Sequence, residues 1–71
     1  MKVYGIYKEV FPDSGAVSRV LYMHRFEARD VVKEEMKAIT ERTGKSFRKV
    51  DGVNAWNNGV IIIEIQAFTL I

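Results

Sequence analysis

His24 is the only histidine, and Ser14, Ser18 and Ser46 are the serine hydroxyls that a nucleophile–base pair with it would need. Acyl-transfer chemistry needs a hydroxyl within hydrogen-bond reach of an imidazole that an acid in turn orients. Ser18 and His24 lie six residues apart on one expected strand, about 20 Å at strand rise, so they do not form that pair. A lone histidine cannot build a histidine-based metal site within one chain. With no cysteine there is no thiolate zinc site, disulfide scaffold or redox pair. Glu27, Asp30 and Glu34 recur at helical spacing, but Arg29, Lys33 and Lys37 interleave with them. Asp30 with Lys33, and Lys37 with Glu41, read as solvated helix pairs worth about 0.2–0.5 kcal/mol each. The five glycines stand singly and make no phosphate-cradling loop. The expectation is a protein that is not an enzyme and needs no cofactor or metal.

Binding is better supplied. Lys45-Ser46-Phe47-Arg48-Lys49 places three cations and an aromatic ring within five residues. The ordinary reading is a solvated helix end and strand start; the functional one is contact with a phosphate or an acidic protein surface. Trp56 with Asn57 and Asn58 is the second candidate, at an expected hairpin tip. Tryptophan is enriched at binding hot spots, although it can equally fold back to close a small core. Tyr4 and Tyr22 join Lys45, Arg48, Lys49, Trp56 and Asn57 as candidate partner-binding residues, with Arg19 or Arg25 added if the strands bring them near.

These residues must be positioned by one domain. A 71-residue chain allows a single unit over 1–71. Its 48% hydrophobic content and formal charge of +2 are those of a folded chain and not a disordered one. The isoelectric point near 9.1 is at the lower margin of a nucleic-acid binder's basic footprint. The longest apolar run, Val60 to Ile63, is far short of the roughly 20 residues that span a bilayer. The start at Lys2-Val3-Tyr4 lacks an export-signal layout. No membrane association and a cytoplasmic location are therefore expected.

The residues 2–11 are rich in β-branched and aromatic types, with Val3, Tyr7 and Phe11 on one side and Tyr4, Ile6 and Val10 on the other. Pro12-Asp13-Ser14-Gly15 carries turn chemistry, and 16–25 form a second strand, so the two read as a hairpin. The single glycine inside the first strand, Gly5, suggests a bulge or a close backbone approach. From Phe26 the period changes. Ala28, Val31, Val32, Met36 and Ile39 mark a helix over about 27–43, with Glu27 a mediocre cap and Gly44 the expected left-handed stop. Ser46 to Val53 form a third strand interrupted at Asp51-Gly52. Asn57-Asn58-Gly59 signals a tight turn of type I′ into a fourth strand from Val60 to about Leu70.

The fold expected is α+β: a four-stranded, mainly antiparallel sheet with one helix packed on one face, in the order ββαββ. The helix stripe should bury against alternating residues from Ile61 to Ala67. One face then remains, and it would expose some of Tyr4, Ile6, Val10, Tyr22, Ile62 and Phe68. An antiparallel sheet with a wet face should alternate more cleanly. Either those residues are ordinary surface apolar groups, or that face or a sheet edge meets another chain. Because one helix cannot cover both faces, a homodimer, or a larger homo-oligomer, is expected.

The hairpin from Lys2-Val3-Tyr4 to His24-Arg25, the following Phe26 and Ala28-bearing helix, and the closing segments Trp56-Asn57-Asn58-Gly59-Val60 and Ile63-Glu64-Ile65 resemble the layout of short phage-encoded accessory proteins. The resemblance spans nearly the whole chain and rests on layout. It implies a small binding protein that blocks a host or defence macromolecule, in an anti-CRISPR-like or host-takeover role, acting in the host cytoplasm. The partner expected is a protein. The alternative is a nucleic-acid-binding module using Lys45, Arg48 and Lys49. A small metabolic enzyme is a third reading, and it would need an unusual site.

Overall fold

The two long segments rich in β-branched and aromatic residues become neighbouring strands inside one antiparallel sheet. The computed structural model describes residues 1–10, 15–17 and 21–70. Along the chain the elements are β1 (Lys2–Val10), β2 (Ala16–Val17), α1 (Arg25–Thr43), β3 (Arg48–Lys49), β4 (Ala55–Asn57) and β5 (Ile61–Thr69). The sheet order is β2-β1-β5-β4-β3, every pairing antiparallel. The chain is thus α+β, with one helix on one face of an open antiparallel sheet. β1 and β5 pair over nine residues in unbroken register, from Lys2 opposite Thr69 to Val10 opposite Ile61. Gly5 sits within that register opposite Gln66, so the bulge expected there is absent.

Register decides the faces, since residues directly opposite share a side. Ile6 with Ile65, Tyr4 with Ala67 and Trp56 with Ile63 fall on the helix side. Ala28, Val32 and Ile39 of α1 pack there with Ile6, Ile61, Ile63 and Ile65; Val31, Met36, Tyr4, Tyr22, Phe47, Trp56 and Val60 close the rim half-buried. Ile63 and Val32 are fully enclosed, and burying each such side chain is worth about 1.5–3 kcal/mol. Lys8, also on this side, makes an ion pair with Glu35 of α1.

Two sequence expectations change at this face. Tyr4, Ile6 and Tyr22 were candidates for an exposed surface, but they lie beneath the helix: Ile6 is buried, and both tyrosines pack against the core. Ala67 shares the buried parity yet is exposed, because the core ends at Ile65. The opposite face carries Val3, Tyr7 and Glu9 facing Phe68, Glu64 and Ile62. Gln66 Nε2 donates to Glu64 Oε1 there at 2.9 Å. That face is mixed rather than continuously apolar, and the surplus of large apolar residues is smaller than the raw alternation implied.

The first hairpin is present as β1 and β2, extended by Tyr4 and Tyr22, which exchange two 2.8 Å backbone hydrogen bonds. The expected turn at Pro12 to Ser14 lies outside the described residues. Gly15 is described, and a Cβ there would meet the outer end of the Tyr7 side chain, which would have to shift to admit a larger residue.

The helix starts two residues earlier than the sequence suggested. His24 is the N-cap in extended conformation, and its N–H donates to the Glu27 carboxylate at 3.2 Å. Glu27 therefore serves three residues inside the helix, as the acidic half of a capping box, and not as the cap itself. At the other end Gly44 adopts φ 72 and donates its N–H to Thr40 at 2.8 Å, the left-handed stop its position called for.

Candidate functional site

The third expected strand is a small hairpin. Asp51-Gly52, read from sequence as an interruption, is its turn, with Gly52 at φ 78. β3 and β4 flank that turn, with Arg48 opposite Asn57 and Lys49 opposite Trp56. This pairing unites two features that lie apart in the sequence. The cations of the basic run stand directly beside the tryptophan and asparagine of the second candidate. Because side chains alternate along a strand, Lys49 and Trp56 share the helix side, and Arg48 and Asn57 share the other.

Each part is held from behind. Trp56 packs half-buried against the core while part of it stays open beside exposed Lys49. Both expectations for the tryptophan are therefore partly met: it closes the core and still borders the surface. Phe47 anchors the start of β3 in the same way. Arg48 and Lys49 project from exposed positions on the outer strand of the sheet.

The turn from β4 to β5 braces the hairpin. Within this turn only Gly59 has positive φ, at 90, and no residue other than glycine does among the described residues. A type I′ turn requires positive φ at both central residues; this pattern fits the II′ form instead. The asparagines supply the missing bonds. Asn57 Oδ1 accepts from the Gly59 N–H at 2.6 Å. Asn58 Oδ1 accepts from the N–H groups of Val60 and Ile61 at 2.9 and 2.8 Å. The Asn58 amide also reaches the Lys45 carbonyl at 3.5 Å, which sets the end of α1 beside this turn.

Lys45, Arg48, Lys49, Trp56 and Asn57 therefore gather at one side of the molecule. An open groove there is lined by Ser46, Arg48, Lys49, Val50, Asn57, Asn58 and Gly59. Sequence reasoning passed over Ser46 and Asn58 as lining residues; their signal was their place inside the basic run and the Asn-Gly turn. Hydroxyl, amide and guanidinium donors in one groove can satisfy carboxylate or phosphate oxygens.

The tyrosines are elsewhere. Tyr4 and Tyr22 sit at the β1 and β2 side, with β5 between them and the hairpin. The Arg25 guanidinium lies 5.5 Å over the Tyr4 ring, so Arg25 does not extend the basic hairpin. Arg19 lies outside the described residues, as do Ser14 and Ser18. His24 stacks on Phe26 at 5.3 Å between ring centroids. Ser46 and His24 flank opposite ends of the 19-residue α1, about 28 Å apart at helical rise, which separates the two groups a catalytic pair would need. Among the described residues no group of three His, Cys, Asp or Glu side chains could hold a metal ion, and no helix is long and apolar enough to cross a membrane.

Comparison of the chain with family models, with curated proteins and with solved structures finds no match in any of the three.

Proposed function

We propose that this chain is a non-enzymatic binding protein whose β3–β4 hairpin grips an acidic surface of a larger protein and blocks it by occupancy. The observation that carries this reading is the cross-strand placement of Arg48 and Lys49 beside Asn57 and Trp56. A partly open tryptophan with exposed Lys49 beside it, and Arg48 beside Asn57 on the other face of the same hairpin, combine apolar contact area with charge, and tryptophan and arginine are enriched at binding hot spots. The role is that of a phage-type inhibitor of a host or defence macromolecule, carried out as a homodimer in the cytoplasm.

The groove favours one second reading. Its serine, asparagine, arginine and lysine lining suits phosphate oxygens, as a nucleic-acid-binding module would require. Salt separates the two. On duplex DNA, log K falls with log salt with a slope of about −0.9 per phosphate contact. The test is capture of partners from host lysate by the wild type and by Arg48→Ala/Lys49→Ala, with nuclease treatment. A protein retained by the wild type, lost by the double variant and insensitive to nuclease supports the first reading. Tight nucleic-acid binding with the phosphate slope replaces it with the second. Equal capture by both proteins removes the hairpin from either role.

A further inference from the structure

The outer edge of β5 is shared unequally. Ile61, Ile63 and Ile65 turn their backbone groups toward β4: the Ile61 carbonyl accepts from Asn58 N–H at 3.2 Å, and the Ile65 N–H donates to Asn54 at 2.9 Å. Tyr4 sends both of its backbone groups to Tyr22. Its partner in register, Ala67, therefore belongs to a non-hydrogen-bonded pair and aims its N–H and carbonyl away from β1. Thr69, two residues on, aims the same way, while Leu70 donates to Met1 across β1 at 2.8 Å. Among the described residues no strand lies against Ala67 and Thr69. Two donors and two acceptors thus face outward from a strand end.

Sheet edges are commonly guarded by charge, proline or a bulge. β3, the edge beyond β4, carries Arg48 and Lys49. The segment Ile65-Gln66-Ala67-Phe68-Thr69-Leu70 carries none of these devices.

We propose that the free edge of β5 at Ala67 and Thr69 is where a second copy of this chain docks, antiparallel, about a two-fold axis at Phe68. This deepens the homodimer reading and rests on it. Antiparallel pairing of a segment with itself is self-complementary. Ala67 of each copy exchanges two hydrogen bonds with residue 69 of the other, and Phe68 faces its own counterpart in the non-hydrogen-bonded position between them. The charge pattern favours a copy over a foreign strand: the edge is uncharged from 65 to 70 and offers no counter-charge for selecting another partner, and it brings no like charges face to face. Phe68 is 38% exposed and Leu70 49%, so apolar surface flanks the unpaired backbone. β4 and the Asn54 carbonyl occupy this edge as far as Ile65, so the pairing runs from Ala67 to Thr69 of each copy and makes a weak, concentration-dependent dimer.

The test uses the absence of cysteine. Residues opposite each other in a non-hydrogen-bonded pair have Cα atoms about 4.5 Å apart, inside the range of about 4.4–6.8 Å that a disulfide spans. Phe68→Cys should oxidise to a covalent dimer; Phe26→Cys, at a position 63% exposed and off the edge, should not at the same concentration. Ala67→Pro removes one outward N–H from each copy and leaves the monomer's own bonds intact. It should weaken dimerisation by about tenfold or more, with circular dichroism unchanged. Amide exchange at Ala67 and Thr69 should slow as wild-type concentration rises, which reads the edge even if a variant folds poorly. A wild-type mass of 8.2 kDa at every concentration, by light scattering, removes the homodimer and its edge together. A dimer that survives Ala67→Pro, or one that leaves both amides unprotected, overturns the edge alone and leaves the homodimer standing.

Discussion

The first half of β5 is rich in isoleucine, the second mixes Gln66, Ala67, Phe68 and Thr69, and the two meet different fates. Ile61, Ile63 and Ile65 are 6%, 0% and 7% exposed, while Ala67 to Leu70 are all exposed. β1 runs along both halves in the same register, so inner pairing does not separate them. Besides composition, what differs is the cover: α1 packs over the first half, and the β3–β4 hairpin borders its outer edge. A strand's own residues specify that it is extended. Its neighbours specify which part of it becomes core and which part becomes a surface that another chain can reach.

The sharpest way to break this comparison is Ile63→Ala. The residue is fully enclosed in the covered half, and its truncation should cost about 2–5 kcal/mol by transfer and cavity terms. In a domain this small that leaves many molecules unfolded, and a denaturant titration reads it. An unchanged midpoint would mean that strand β5 does not centre the core. Next is Gly59→Ala in the turn that folds β4 onto the covered half. At φ 90 a Cβ should cost about 1–2 kcal/mol, visible as a lower melting temperature. Phe68→Ala in the uncovered half should cost about 1 kcal/mol or less while weakening self-association, and a cost as large as that of Ile63→Ala would erase the distinction between the halves. Lys8→Ala removes the ion pair with Glu35, whose side chains are 44% and 30% exposed. Solvent screening limits that effect to about 0–1 kcal/mol, and it should shrink further as salt is added. Smallest of all is Arg48→Ala/Lys49→Ala: both residues are exposed, so stability should move by less than about 0.5 kcal/mol even as partner capture is lost.

Much of the site was legible in the sequence as residue types. Lys45, Arg48, Lys49, Trp56 and Asn57 stand out by charge and aromatic character without any structure. That Lys49 would sit beside Trp56 was not legible, because it depends on reading Asp51-Gly52 as a hairpin turn rather than a flaw in one strand. Gly52 permits both readings locally, and only pairing with β5 makes β4 a separate strand. That Tyr4 and Tyr22 stand apart from the hairpin was not legible for a related reason. Alternation shows that two residues share a face and cannot show which face the helix will take.

The sequence by itself determined the element types: segments rich in β-branched and aromatic residues at 2–10 and 61–69, a 3.6-residue apolar stripe from Ala28 to Ile39, and glycines at the positions where φ is positive. These are properties of short segments, set by backbone sterics and local burial pattern. Only the tertiary structure decided that the first and last strands would lie side by side at the centre, that Ile6 rather than Val3 would face the helix, and that Ala67 and Thr69 would be left with their backbone groups turned outward. Those outcomes depend on register and on where the nearest cover ends, and each is fixed by residues distant in the chain.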